Sequence, residues 1–278
     1  MFIITPAQLS EKICQNENIA IIDVRSNLNN PDEGYEQYKE SHLPGAVYLH
    51  LKKDLSGPIR EHGGSHPLPD VDVFAETLGD LGIDEMTLTV IYDEANHMFA
   101  TRAWWMLHTL GHEKVYVLEG GFTAWKKAGY ELTGAIPQHP RKTFKPRMNM
   151  DEVIHMEEVK NRNQEKVVLL DSRAYERYLG KVEPLYDKAG HIPGAKNYFW
   201  QDVLNDEGHW KSVAELKEHF KDLKDAEEII VSCGSGISAC PNILALKRAG
   251  FLNVKLYPGS FSDWISYEEN VLETKDET

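Results

Sequence analysis

One cysteine carries most of the chemistry this sequence offers. Cys233 closes an apolar run, Glu228-Ile229-Ile230-Val231-Ser232, and opens the phrase Cys233-Gly234-Ser235-Gly236-Ile237-Ser238-Ala239. Helical spacing follows through Pro241, Leu244, Leu246 and Ala249. The order predicts a buried strand, a glycine loop and a helix start. A thiol there lies in a ring of backbone N–H groups at the positive end of a helix, surroundings that suit a negatively charged sulfur. Gly234 and Gly236 let the loop take dihedrals closed to other residues. The hydroxyls of Ser235 and Ser238 can add donors. A core cysteine needs no such loop, and that plainer role fits Cys240, at the helix start, and Cys14, in the amphipathic opening segment.

The elements that must position this loop occur twice. Ile19-Ala-Ile-Ile-Asp-Val-Arg25 is matched by Val167-Val-Leu-Leu-Asp-Ser-Arg173, and Ser41-His-Leu-Pro-Gly-Ala46 by Gly190-His-Ile-Pro-Gly-Ala195. Leu88 to Asp93 is matched by Glu228 to Cys233, and Val115 to Trp125 by Val254 to Trp264. A period this long, about 140 residues, excludes a solenoid and means two similar domains in tandem. Strand patterns alternate with helical ones at Val71–Leu81, Thr101–Leu110, Val213–Leu223 and Ile243–Arg248. The expected fold is therefore α/β, each domain a mostly parallel sheet flanked by helices, with the cysteine loop in the second. We place the domains at 1–135 and 151–278, joined over 136–150 by a polar, proline-bearing connector. In the first domain Asp93 stands where Cys233 stands in the second, so that domain is expected to be non-catalytic.

The formal net charge of −14 argues against nucleic acid and anionic membrane surfaces as partners. Three scattered cysteines form no disulfide framework and point to a reducing compartment. The first residues lack a charged region and a long apolar stretch, so neither a signal peptide nor a membrane span is expected, and the reading is cytoplasmic. His62 and His66 flank two glycines in a loop, and without a third ligand we expect no metal site.

Together these phrases resemble the tandem-domain rhodaneses, the thiosulfate and 3-mercaptopyruvate sulfurtransferases, over roughly residues 5 to 270. The resemblance implies a persulfide on Cys233, formed from a small-molecule sulfur donor and relieved by cyanide, a small thiol or a thioredoxin-like acceptor, with no cofactor. It implies that Gly234, Ser235, Gly236, Ile237 and Ala239 line the substrate. It also assigns His42, with a loop serine (Ser238 or Ser235), to proton handling, for which Asp32 and Glu33 are candidate acids. The alternative for His42, as for His191, is a structural turn before Pro-Gly. Phosphatases of similar fold use Cys-x5-Arg; here the arginine position holds Ala239, which removes the cation that grips phosphate.

The loop text resembles the mercaptopyruvate branch, whereas the thiosulfate branch usually sets cationic residues after the cysteine. The mercaptopyruvate branch also uses two upstream arginines on the substrate's carboxylate and keto oxygen. Arg177 in Glu176-Arg177-Tyr178 matches the first, and Leu185 replaces the second. The expectation is 3-mercaptopyruvate as donor, with thiosulfate, or a non-catalytic sulfur carrier of the same fold, as alternatives. Asp23 with Arg25, and Asp171 with Arg173, are expected to tie strand ends to neighbouring loops. Trp104 and Trp105 are expected in the first core.

Overall fold

The computed structural model describes residues 2–15 and 18–274. The chain divides into two units, one of Met1–Gly57, Leu68–Asn149 and Asp206–His209, the other of Pro58–Pro67, Met150–Asn205 and Trp210–Thr278. Two features differ from the expected boundaries. Residues 58–67, from the first half of the sequence, join the C-terminal unit, and 206–209 join the N-terminal one. The connector is also not a free tether. Its backbone is clipped to the N-terminal unit by Lys142 N–H to Gly79 O, Arg147 N–H to Leu110 O and Asn149 N–H to Thr109 O, and Phe144 is buried.

The N-terminal unit runs β1 (Ile3–Ile4), α1 (Pro6–Cys14), β2 (Ile19–Asp23), α2 (Glu33–Glu40), β3 (Ala46–Tyr48), α3 (Val71–Asp80), β4 (Leu88–Tyr92), α4 (Met98–Thr109), β5 (Val115–Leu118) and α5 (Gly121–Lys127). Its sheet is parallel in the order β1-β5-β4-β2-β3. β2 and β4, in the middle, are near-continuous apolar runs because helices cover both faces of such a sheet. Ile21, Val90, Tyr92, Leu118 and Trp125 pack into one core. Trp104 and Trp105 are buried on α4, as their helical context requires. Arg102, two residues before Trp104, is wholly buried too, with Nη2 3.3 Å from Leu55 O.

The C-terminal unit runs α6 (Met156–Lys160), β6 (Val167–Asp171), α7 (Tyr175–Leu179), β7 (Lys196–Asn197), α8 (Val213–His219), β8 (Glu228–Ser232), α9 (Cys240–Ala249), β9 (Val254–Leu256) and α10 (Ser260–Trp264). Its parallel sheet is ordered β7-β6-β8-β9. Leu169, Ile230, Tyr178, Ile192, Tyr257 and Trp264 form its core. In each unit the Asp-x-Arg phrase closes the strand beside the one that carries Asp93 or Cys233, so the repeated phrases meet as neighbouring strand ends. No described helix is long and apolar enough to cross a membrane.

Candidate active site

Cys233 follows β8 directly, and the loop 233–239 leads into α9. The residue is 1% exposed, yet its sulfur is not walled off by hydrocarbon: the Gly236 N–H points at Sγ from 3.1 Å. That donor exists because Gly236 sits at φ +76°, where a Cβ would come within 2.2 Å of Pro258 O. Ile237 and Ala239 are buried. Ser238 is half-buried, on the loop's last turn before α9. Cys240 is buried and donates to Gly236 O, whereas Cys14 is exposed rather than core.

The start of α10 supports the cysteine from beneath. Phe261 N–H donates to Cys233 O and Ser262 N–H to Gly234 O. Cys233 N–H donates to Ser260 Oγ at 3.1 Å. Tyr186 closes one side, its hydroxyl donating to Gly234 O at 3.1 Å. Burial holds the Tyr186 phenol above its ordinary range, against hydrogen bonds to the side chains of Ser65 and Ser262, so it keeps its proton. Ser65 arrives on the segment 58–67. That segment is tied down by Gly63 N–H to Asp263 Oδ1 at 2.7 Å, by Ser65 N–H to Ser262 Oγ at 3.0 Å, and by His62, stacked on Tyr267 and 2.8 Å from Ser266 Oγ. Nothing in the sequence of 58–67 announces this docking, and no composition signal could have found it. Among the described residues no group of three or more His, Cys, Asp or Glu is arranged to hold a metal.

Arg177 lies beside the cradle: a Cβ on Gly234 would stand 3.6 Å from its Nη2. Its guanidinium is not idle. Glu183 takes Nη2 at 2.7 Å and Nε at 3.1 Å, and the same carboxylate accepts from Arg173 Nη1 at 3.1 Å. Arg173 is also bound to Asp171 at 2.6 Å and to Gly190 O at 2.7 Å, and lies over the Phe261 ring. Two cations and two carboxylates therefore balance. Leu185, at the position expected for the second arginine, has its side chain turned outward at 53% exposure, and contributes only its backbone N–H, to Glu183 Oε1 at 3.1 Å. Asp23 and Arg25 repeat the strand-end pair in the N-terminal unit, with Arg25 Nη2 also on Ser41 O.

His42 requires a correction. It is wholly buried in the N-terminal unit, stacked on Tyr38, with Nδ1 2.6 Å from Tyr38 O and Nε2 3.2 Å from Ala135 O. His191 repeats the arrangement on Tyr178, with Nδ1 2.7 Å from Tyr178 O. Both ring nitrogens of His42 face main-chain carbonyls, so it braces the turn and leaves the proton-handling set. Neither candidate acid reaches it: Asp32 pairs with His50 and Lys53, and Glu33 with Asn27.

Asp93 shows what the loop is for. Its carboxylate accepts N–H bonds from His97 at 3.0 Å, Phe99 at 3.1 Å and Ala100 at 3.2 Å. The N-terminal loop thus encloses an acidic group supplied by its own side chain, at the position the C-terminal loop gives to sulfur.

A model of the rhodanese-like domain matches residues 5–128 and again 155–267. The chain belongs to the rhodanese family. Over 280 residues it is 36% identical to a Pseudomonas aeruginosa protein named "Probable 3-mercaptopyruvate sulfurtransferase", covering 99% of this rhodanese and 98% of that protein. It is 33% identical to the thiosulfate sulfurtransferase of Gallus gallus, covering 82% and 80% of the two chains. The crystal structure of SseA from Escherichia coli, a 3-mercaptopyruvate sulfotransferase, superposes with a TM-score of 0.81 at 32% identity, covering 94% of this rhodanese and 99% of that chain. This rhodanese is a sulfurtransferase.

Proposed function

We propose that this sulfurtransferase works through a Cys233 persulfide, with 3-mercaptopyruvate as donor and a thiol or cyanide as acceptor. The observation that carries this reading is the Gly236 N–H aimed at Cys233 Sγ. The Cys233 thiolate attacks the donor sulfur, an S–S bond forms, and the donor C–S bond breaks. The electron pair leaves on carbon as the pyruvate enolate, which takes up the donor's thiol proton. The enzyme is left as Cys–S–S⁻, whose charge the loop N–H groups and the first turn of α9 stabilise. An acceptor thiolate or cyanide then attacks the outer sulfur and releases the Cys233 thiolate. Arg177 offers Nη1 to the donor's carboxylate while Glu183 holds the rest of the fork. Ser238, half-buried on the loop, is the hydroxyl at hand for proton transfer.

The C-terminal unit is on this reading the catalytic one, and the N-terminal unit, with Asp93 in its loop, is not. Three free thiols favour the reducing cytoplasm. Thiosulfate is the second reading for the donor. It is favoured by the Glu183 carboxylate on Arg177 and by Leu185, which together weaken a two-armed carboxylate clamp.

Intact mass after donor treatment tests the intermediate. We expect wild type to gain one sulfur, lost on adding cyanide, and Cys233→Ser to gain none. No uptake from either donor would leave a non-catalytic carrier. Side-by-side kinetics test the donor: a kcat/KM about tenfold higher for thiosulfate would overturn 3-mercaptopyruvate.

A further inference from the structure

The two units support their loops through the same pair of backbone hydrogen bonds. In the N-terminal unit Phe122 N–H donates to Asp93 O and Thr123 N–H to Glu94 O; in the C-terminal unit Phe261 and Ser262 do the same for Cys233 and Gly234. The residue just before this pair adopts a left-handed backbone in both. In the N-terminal unit it is Gly121, at φ +57°. In the C-terminal unit it is Ser260, at φ +53°, one of only two non-glycine residues with positive φ among those described. A side chain there strains the backbone, and the sister unit places glycine at the equivalent position.

What the serine adds is its hydroxyl. Ser260 is wholly buried, donates to Tyr257 O at 2.8 Å and accepts from Cys233 N–H at 3.1 Å. The carbonyl of that same peptide, Ser232 O, accepts from Ser172 N–H at 2.8 Å. The peptide that leads into Cys233 is thus gripped at both ends. Since a peptide is planar, fixing its O and H fixes the plane from which the Cys233 side chain departs.

We infer that Ser260 is a positioning residue for sulfur transfer: its strained backbone is kept so that its hydroxyl can clamp the Cys233 N–H and hold Sγ under the Gly236 N–H. This role rests on Cys233 being the nucleophile. The buried Ser260 hydroxyl is taken up by Tyr257 O and the Cys233 N–H, so its loss should slow every reaction of the Cys233 sulfur alike.

The test compares wild type, Ser260→Gly and Ser260→Ala. Three quantities are measured: the single-turnover rate of sulfur uptake, the rate of Cys233 alkylation by iodoacetamide followed on the Cys233 peptide, and the melting temperature. Ser260→Gly takes the residue the sister unit already uses, so it should melt within a few degrees of wild type. It should nevertheless lose roughly 5- to 30-fold in both uptake and alkylation, with KM for the donor little changed, as expected for lost pre-organisation. Ser260→Ala keeps the strain, lacks the hydroxyl and should be slowed at least as much. Wild-type alkylation and uptake rates in Ser260→Gly would overturn the inference. So would slowing in Ser260→Ala alone, which would make backbone strain the cause, or slowing that comes with a large fall in melting temperature. Alkylation needs no donor. A wild type that takes up no sulfur would therefore defeat the persulfide reading, while the alkylation comparison still decides the role of Ser260.

Discussion

At the scale of single residues, the site is governed by how its charges are shared. Glu183 has 2% of its side chain exposed and holds two arginines, one of which is Arg177. On the proposed reading, an incoming anion competes with this resident carboxylate for Arg177. Replacing Glu183 with Gln should therefore lower KM for anionic donors several-fold while costing roughly 1–3 kcal/mol of stability, because the buried Arg173 and the part-buried Arg177 lose a charged acceptor. Steady-state kinetics with thiosulfate and urea unfolding of the same variant check both halves. Arg177→Ala should reduce kcat/KM by about 10- to 100-fold for either donor, the loss of one charge-assisted contact; an unchanged value would remove it from the site. The loop around Cys233 is legible in the sequence because its chemistry is local, whereas Arg177 is singled out only by the phrase that resembles the family's. Glu183 is not, since the sequence offers it only as a neighbour of Pro184. His42 misleads because a near-identical phrase surrounds His191, and the two histidines brace equivalent turns.

At the scale of elements, the strand–loop–helix unit around Cys233 is readable from a short apolar run and two glycines. Its support is not. The start of α10 and the segment 58–67 come together through contacts between residues 200 apart in sequence, such as Gly63 with Asp263. β1 and β7 have two residues each, too few to show any period. The loop itself depends on Gly236. A Cβ at that position meets the Pro258 carbonyl, which is backbone and cannot swing aside. Gly236→Ala should cost at least ~2 kcal/mol and should also abolish sulfur uptake, because the peptide that carries the donor N–H must rotate. Thermal melting and the intact-mass assay read the two effects separately.

At the scale of the whole molecule, the internal repeat dictates the architecture, since four phrases in one order leave little choice of fold. The unit whose loop carries Asp93 instead of a cysteine has a thermodynamic signature. Burial raises the Asp93 carboxyl from 3.8 to about 6 despite its three N–H partners. A raised folded pKa means that the associated stability is complete below about pH 4 and is lost as the pH climbs through about 6, on the order of 3 kcal/mol. Asp93→Asn cannot titrate, so wild type should lose stability relative to it between about pH 4 and pH 7. Urea midpoints at both ends of that window check the sign, and parallel curves would show that Asp93 does not ionise there.

The exchanged segment 58–67 also imposes an order of events on synthesis. A ribosome releases this strap long before α10, on which it leans, has been translated, so it must wait, undocked, until residues 260–267 have emerged. A transcript interrupted after residue 149 would leave it without a seat. A gene split at that point would give two polypeptides, neither able to assemble the sulfur site alone, whose activity should return when they are expressed together.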